Sequence, residues 1–365
     1  MAGLAARLTS LPADVLPGIV GRLDQADKVA CLLACRALSA AASAHGVWPS
    51  VTFHDLDFTA VNFVARHRCA GVTIRSECPD DVSWFFDQLA ARDVLCLEDV
   101  TVELGSVQRV PYDLLTGLAR QSSLRRLTLT VDRLDEPSEV VFPRSTRLHA
   151  LRELRVEDRT PDAKRLVMWF ADSHCRFSSV STVHLDVAVS DVMAGLRHMP
   201  ALATVVYRCD DEEGGETYED MEAAGLTLDT LELDVGAETS YLDLWRQLEH
   251  CAVRRLVLHV NDDWLDVSHP LSAALEEIEL QVHTGRADIR FDFPSLRGLT
   301  RLRTIRVAAA AQQPAAAQQP AAAQQPPPTH YLMFSHVTPA QWIDFFQSRA
   351  LDLHPNSRLT MSFAM

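Results

Sequence analysis

The sequence lacks the cysteine patterns that form disulfide frameworks or metal sites in small domains. Its eight cysteines include no Cys-x-x-Cys pair, and the spacing of Cys31 and Cys35 is a helical one. We therefore expect buried, reduced thiols, with neither a disulfide framework nor a zinc site. This cysteine usage is typical of an intracellular protein, cytoplasmic or nuclear.

The sequence also lacks a long apolar run and an excess of basic charge. The longest membrane candidate, residues 29–44, is shorter than the ~20 residues of a spanning helix and contains Arg36. Asp14 and two prolines interrupt any secretory signal after Arg7. The 49 acidic and 34 basic residues leave a net charge of −15, which argues against nucleic acid or an anionic membrane as the main partner.

Catalytic signatures are missing as well. The chain contains no phosphate-binding glycine loop, no G-x-S-x-G elbow, no H-E-x-x-H motif and no kinase signature. Its 14 histidines are scattered, and no ligand cluster has metal spacing. We predict that the chain is not an enzyme and that it needs no cofactor.

What the sequence does contain is a repeat. Nine segments are apolar at their first, fourth and sixth positions, as in LRRLTLTV, LDTLELDV and LEEIELQV. They begin at residues 97, 124, 151, 180, 202, 228, 253, 275 and 302, which is a spacing of 22 to 29 residues. This pattern resembles the leucine-rich repeat, in which a short strand alternates with a returning segment. Weaker units at residues 69–75 and 51–53 extend the array toward the N-terminus.

The repeat frame also predicts a binding surface. Side chains of a strand alternate between two faces, so the third, fifth and seventh positions lie opposite the core, on the concave face of such an array. That face is polar and mixed in sign. The predicted target-binding residues are Arg126, Glu153, Arg155, Glu157, His184, Asp186, Arg208, Glu232, Asp234, Arg255, His259, Glu277 and Glu279.

We expect helices in the returning segments, on the outer side of the strands. Amphipathic candidates are residues 80–91, 240–250 and 338–350. Residues 210–222 are acidic and predict a mobile loop, either solvated or docking a basic partner. Residues 308–328 repeat AAAQQP and predict a low-complexity insertion, since a proline at every sixth residue interrupts a helix. Residues 329–365 then form a final repeat and C-terminal cap, with a last strand at 359–363.

The first 50 residues are unusually apolar, and their pattern resembles the F-box, a three-helix motif at residues 8–49. The matching residues are Leu11, Pro12, Asp14, Val15, Leu16, Ile19, Leu23, Asp24, Asp27, Val29, Leu33, Ala34, Cys35, Arg36 and Trp48. The resemblance implies that this segment binds the Skp-type linker subunit of an SCF (Skp–cullin–F-box) ubiquitin ligase. By it, Leu11, Pro12, Val15, Leu16, Ile19 and Leu23 contribute to the linker contact, and some of them pack inside the motif.

The predicted fold class is therefore α/β: an F-box followed by a curved leucine-rich-repeat solenoid over residues 50–307, with parallel strands inside and helices outside. An F-box followed by such repeats resembles a class of SCF substrate receptors, in which the array holds a protein target and the chain supplies proximity. The alternative is a leucine-rich interaction scaffold that is not assembled into a ubiquitin ligase and whose F-box has decayed or serves as an N-terminal cap. A stoichiometric inhibitor like the ribonuclease inhibitor is a third interpretation, by fold analogy alone.

Overall fold

A computed structural model describes most of the repeat strands and the helices that precede them. The described residues are 15–34, 36–42, 44, 47–111, 113–141, 148–160, 166–169, 177–187, 196, 199–209, 226–235, 251–260, 264–267, 271–283, 286–292, 296, 298–309, 329–335, 340, 347, 350–353 and 357–361. The chain divides into two compact units: unit 1 comprises residues 1–160 and 170–179, and unit 2 comprises residues 161–169 and 180–365. The predicted acidic loop at 210–222 and the helix at 240–250 lie outside the described residues, as do most of the predicted insertion and most of the helix at 338–350.

In the described part of unit 1, three short helices precede five paired parallel strands. The helices are α1 (Val15–Val20), α2 (Gln25–Ala34) and α3 (Arg36–Ala42). The paired strands are β1 (Ser50–Phe53), β2 (Gly71–Ser76), β3 (Asp99–Val107), β4 (Arg126–Leu134) and β6 (Glu153–Asp158), in that spatial order, and a short strand β5 (Ser138–Val141) lies outside this row. Helices α4 (Phe58–His67) and α5 (Pro79–Ala91) fill two connections, and a 3₁₀ turn at Leu118–Arg120 lies in another.

The local sequence explains where the helices of unit 1 begin. Asp57 caps α4 by accepting hydrogen bonds from the backbone N–H groups of Thr59 and Ala60, at 2.8 and 2.9 Å. These bonds lower the pKa of Asp57, and the bond from the Ala60 N–H has the largest effect. Pro79 stands at the start of α5, where a missing N–H costs nothing, so the predicted helix at 80–91 is confirmed.

Unit 2 has two parallel sheets. Its first sheet contains β8 (Thr182–Asp186), β9 (Thr204–Cys209), β10 (Thr227–Val235), β11 (Ala252–Val260), β13 (Glu277–Val282), β15 (Thr304–Ala309) and β17 (Ala350–Leu353). The second sheet contains β12 (Trp264–Val267), β14 (Arg286–Asp292), β16 (Thr329–Ser335) and β18 (Ser357–Met361), and unit 2 also holds the short strand β7 (Leu166–Trp169). From β11 onward the chain alternates between the two sheets, as in a parallel β-solenoid.

The repeat frame predicts the buried face correctly. The apolar side chains at the first, fourth and sixth positions of all nine repeats are at most 6% exposed. The two weaker units are also strands, since residues 51–53 lie in β1 and residues 71–75 lie in β2. A solenoid of parallel strands with few helices is thus confirmed.

In the last turns of unit 2 the returning segments also contain strands, which the sequence pattern did not predict. These strands are β12, β14 and β16, and the buried residues among their described side chains are Leu265, Val267, Ile289 and Leu332. Among their described side chains, buried and less buried positions alternate, as in a strand with one face in the core. The last strand covers residues 357–361 and lies in the second sheet, and Ala350, expected in a helix, begins β17.

The three N-terminal helices are fixed to the edge strand of unit 1. The Gln25 side chain donates from Nε2 to the Thr52 carbonyl at 2.7 Å and accepts from the Thr52 N–H at Oε1 at 2.8 Å. Trp48 is buried; its Nε1–H donates to the Ala42 carbonyl at 2.5 Å, and Lys28 Nζ lies 5.7 Å from its ring centroid. The helices therefore cover the edge that β1 would otherwise expose.

A buried histidine lies in the same joint. The ring of His67 packs against Trp48 and Phe63, and its Nδ1 is buried without a hydrogen-bond partner. Burial lowers the pKa of His67, and the charge of Arg66 lowers it further. The joint is thus built around a neutral imidazole.

We predict that Gln25→Ala weakens this joint by about 1 kcal/mol, because the two hydrogen bonds to Thr52 are partly exposed to water. Urea unfolding measures the loss, and hydrogen exchange localises it. The Thr52 amide should exchange faster in the variant, whereas the amide of Thr73, the neighbouring residue on β2, should be unchanged. An unchanged Thr52 amide would show that Gln25 does not hold the edge.

Candidate functional site

The first candidate feature is a set of four exposed large apolar side chains, two on α1 and two on α2, which we call the N-terminal apolar surface. Val15 and Ile19 on α1 are each 41% exposed, and on α2 Val29 is 41% and Leu33 is 83% exposed. The pairs are four residues apart, so each pair shares one face of its helix. Large apolar side chains exposed in such number on one short segment indicate a contact surface for another molecule.

The structure separates the packing residues of this segment from the exposed ones. Among the residues predicted to bind a linker, Leu16 is buried at 6% exposure and Leu23 is partly buried, so both pack within the unit. Val15 and Ile19 point to solvent, and Leu11 and Pro12 lie outside the described residues. Val29 and Leu33 belong to the F-box-like pattern but not to the predicted contact set, and their exposure adds them to it.

The second candidate surface is the polar face of the sheets, defined by the third, fifth and seventh frame positions. Equivalent frame positions are level within each unit: Asp99, Arg126 and Glu153 are level on β3, β4 and β6. In unit 2, Glu232, Val257 and Glu279 are level on β10, β11 and β13. Parallel pairing thus converts equivalent positions into continuous rows across the strands.

In unit 1 the charges of the polar face pair with one another. Arg126 donates twice to the Asp99 carboxylate, both at 2.7 Å, and Arg75 donates to Glu103 at 2.6 Å. Glu157 accepts from Arg155 on its own strand and from Arg159 at 2.9 Å. Burial raises the pKa of Glu157, but the two guanidinium groups outweigh it, so the pKa lies below its ordinary value.

In unit 2 a larger ion cluster joins β11, β13 and β15. Arg255 Nη2 lies 2.6 Å from Glu279 Oε2, and Arg306 Nη1 lies 3.2 Å from Glu277 and 3.4 Å from Glu279. Gln281 donates to Glu279 at 3.0 Å. Burial raises the pKa of Glu279, yet the hydrogen bonds from Arg255 and Gln281 and the charges of both arginines lower it more. Arg306 lies on the predicted face but outside the predicted contact set, and its charge joins two predicted residues.

A second polar group on this face links two histidines to a carboxylate. His259 Nε2 lies 2.8 Å from Glu232 Oε1, and His259 Nδ1 lies 3.0 Å from His283 Nε2. His259 is buried at 8% exposure, whereas His283 is exposed just past the end of β13. His283 is the ninth position of its repeat, whereas the predicted contact residues are all at third, fifth and seventh positions.

The remaining predicted contact residues are placed by their strands. His184 and Asp186 on β8 are partly buried and are level with Val206 and Arg208 on β9. Asp234 on β10 is level with Arg208 and with His259. Nothing is described of the side chains of Arg208 and Asp234.

Three further features of the described residues bear on ligand binding. No group of three His, Cys, Asp or Glu side chains there is arranged to hold a metal ion. No helix there is long and apolar enough to cross a membrane. An open groove of about 570 Å³ in unit 1 is lined by residues of mixed character, including Cys78, Asp80, Gln108 and Arg109.

No protein-family model matches this chain, and no curated protein is found to be similar to it. The function of the two surfaces is therefore inferred from their residues and geometry.

We predict that Glu279→Gln destabilises the protein by about 1–2 kcal/mol, because it removes a buried carboxylate that accepts hydrogen bonds from the half-buried Arg255 and from Gln281. Glu103→Gln is the matched control: its pair with Arg75 is exposed, so the loss should be below about 1 kcal/mol. Since the folded pKa of Glu279 is depressed, its contribution is present above the ordinary value of 4.5 and is lost as the pH falls through the lower folded value. Urea unfolding from pH 7 to pH 3 measures both variants. Equal losses, or a loss at Glu279 that does not change with pH, would contradict this description.

Proposed function

We propose that the chain is a substrate-recognition adaptor of an SCF-type ubiquitin ligase. In this proposal the N-terminal helices are an F-box that docks on a Skp-type linker, and the repeats are leucine-rich repeats that hold a protein target. The chain itself carries out no chemistry. It raises the effective concentration of the target near the ubiquitin-carrying enzyme bound through the cullin.

The observation that carries the proposal is the N-terminal apolar surface. The helical segment already has a buried interior, formed by Leu16, Val20, Ala41 and Trp48. The exposed side chains are not part of that interior; they are Val15, Ile19, Val29 and Leu33. Burying one such side chain contributes roughly 1.5–3 kcal/mol, which is sufficient for a stable protein contact when several are buried together. The order of residues in this segment supports a Skp-type linker as the partner, through its resemblance to the F-box.

A firm attachment of the helices to the strands supports the adaptor role. An adaptor transmits position only if its two modules do not swivel freely. Gln25 fixes α2 to β1, and Trp48 packs edge-on against Phe63 of α4 with ring centroids 4.8 Å apart. The linker-binding segment and the first strands thus form one body within unit 1.

The polar face supports a protein target through its chemistry. It presents arginines and carboxylates in level rows, and arginine is enriched at sites of tight protein contact. Most of its described charges are already paired, so a target would bind by extending these networks. Specificity and orientation are the expected contribution of such a surface.

The second candidate function is a repeat scaffold whose first residues act only as a cap. The Gln25–Thr52 bonds favour it, because they satisfy the exposed edge of β1 with a side chain. A cap of this kind needs Gln25 and Trp48 but gains nothing from an exposed leucine at position 33. The two functions therefore differ in what the exposed apolar residues do.

The discriminating experiment tests linker binding by the full-length chain. Ile19→Glu combined with Leu33→Glu places two charges on the N-terminal apolar surface without altering a buried residue, whereas Leu16→Glu would disrupt packing. We predict that the wild type co-purifies with a Skp-type linker from its own organism. The double variant should bind at least about tenfold more weakly.

Leu95→Glu is the matched control, because Leu95 is an exposed leucine of unit 1 outside the helical segment. It should retain wild-type affinity, and thermal unfolding should show all three proteins folded. If the wild-type chain binds no such linker, the proposal of a ligase adaptor is refuted and the repeat scaffold remains as the proposed function. Equal weakening by Leu95→Glu would show that the effect is not local to α1 and α2.

A further inference from the structure

His67 lies at the joint between the three N-terminal helices and the first strands of unit 1. It is the last residue of α4, and its side chain is buried at 5% exposure. Its ring packs on Phe63 of the same helix, with centroids 4.4 Å apart, and on Trp48, with centroids 5.8 Å apart. The imidazole thus connects α4 to the chain segment that follows the N-terminal helices.

Trp48 is the residue through which the N-terminal helices meet α4. Its Nε1–H donates to the carbonyl of Ala42, the last residue of α3. From α2, Lys28 Nζ lies 5.7 Å from the centroid of the Trp48 ring, and both side chains are buried. A change in the contact between His67 and Trp48 therefore acts directly on the residue that α2 and α3 contact.

The neutral form of the His67 ring fits this site. A neutral imidazole carries one hydrogen, and Nδ1 is buried without a hydrogen-bond partner, so the favoured tautomer carries the hydrogen on Nε2. Protonation would add a hydrogen to Nδ1. That N–H would be a buried donor on a charged ring with no acceptor, which is a costly arrangement in a protein interior. A protonated His67 is therefore stable only if its ring reaches water.

Cations surround His67 and disfavour its protonated form further. On its own helix Arg66 precedes it, and Arg68 follows directly after the helix end. From the N-terminal helices, the Lys28 ammonium lies over the same Trp48 ring that His67 contacts. A proton on His67 would thus place another positive charge among existing ones.

Carboxylates do not offset these cations at the joint. Neither α4 nor β1 contains an acidic residue. The carboxylates next to Lys28 in sequence belong to Asp24 and Asp27, and both residues are exposed to solvent, with Asp24 accepting a hydrogen bond from the Asp27 N–H at 2.8 Å. Cys69, two residues after His67, is a buried thiol, and burial raises its pKa to about 12, so it is uncharged.

The resulting balance favours the neutral ring. The C-terminal end of α4 favours a cation. Burial of the His67 ring and the charge of Arg66 outweigh this effect, and the pKa of His67 lies below its ordinary value of 6.5.

We propose that His67 is an acid-sensitive switch, in which protonation of the ring releases the N-terminal helices from α4 and β1. While the helices are attached, the ring is buried and neutral. Once they are released, the ring is open to water and takes up a proton at its ordinary pKa of 6.5. As the pH falls below this value, proton uptake favours the released state, until the pH reaches the lower pKa of the attached state. Above it, the attachment does not depend on this residue's titration.

The consequence is pH control over how the N-terminal apolar surface is held. At neutral pH its four side chains have a fixed position relative to the first strands. In acid they move with the helices, and Trp48 becomes accessible to water. The switch concerns the attachment alone, so it goes beyond the adaptor proposal and does not rest on it.

The test is hydrogen exchange measured by NMR on the full-length chain, from about pH 7.5 to about pH 5.5. The Trp48 indole N–H and the Thr52 amide report the attachment, and the Leu129 amide on β4 reports the sheet. Protection factors are compared, because the intrinsic exchange rate itself depends on pH. We expect protection at Trp48 and Thr52 to fall by up to about tenfold per pH unit below about pH 6.5, since one proton is taken up on release. Protection at Leu129 should be unchanged.

His67→Phe keeps an aromatic ring beside Phe63 and Trp48 but cannot be protonated. Its protection at Trp48 and Thr52 should not change with pH over this range. If this variant fails to fold, the ¹⁵N titration of the wild-type His67 ring decides the question. Its midpoint should lie below about 6.5, and a midpoint at or above this value would overturn the proposal.

His54→Phe is the matched control, because His54 is an exposed histidine directly after β1. It should show the same pH dependence as the wild type. Full protection of Trp48 and Thr52 in the wild type down to about pH 5.5 would contradict the switch. So would a pH dependence that persists in His67→Phe, or one that His54→Phe removes.

Discussion

In-register pairing between parallel strands is the constraint on which the rest of the structure depends. Each strand within a unit bonds to the next with equivalent frame positions level, as Leu127, Leu154 and their neighbours show. Because side chains alternate between faces, a register shift by one residue would turn every apolar row toward water. The apolar rows thus fix the register, and the register in turn creates the rows of polar side chains on the opposite face.

A solenoid of this kind leaves strand edges that must be covered. At the N-terminal edge, Gln25 substitutes for a neighbouring strand by making both hydrogen bonds to Thr52. This explains why helices precede the first strand, but it does not explain the exposed side chains of Ile19 and Leu33. A cap needs one apolar face, whereas this segment has a packed interior and a second apolar set facing solvent. These additional exposed apolar side chains are the reason for proposing that the helical segment binds a partner.

The sequence predicted the features that recur with the repeat. The buried rows, the strand registers and the start of the array at residues 51–53 all follow from one frame applied many times. The returning segments of unit 2 were less predictable, because segments as short as β12, four residues long, carry too few residues to show a helical or a strand period clearly. Their type is decided by pairing with the next turn, which is a long-range contact.

In the candidate sites, too, the sequence predicted which face a residue lies on but not which side chains it contacts. The sequence placed Arg255, Glu277 and Glu279 on one face, but the cluster that joins them to Arg306 depends on side-chain reach across strands. Pattern alone could not separate Leu16 from Ile19, because both are apolar and lie on the same short helix. Burial in three dimensions separates them, and it redefines which residues are available to a partner.

The central claim is that the exposed apolar residues of α1 and α2 form a docking surface for a Skp-type linker. Hydrogen exchange of the full-length chain, measured with and without a saturating linker, tests it most directly. If the linker docks there, slower exchange is expected only in peptides covering residues 15–34, with the strands from β2 onward unchanged. Unchanged exchange at residues 15–34, or slower exchange centred on the sheet strands, would contradict it.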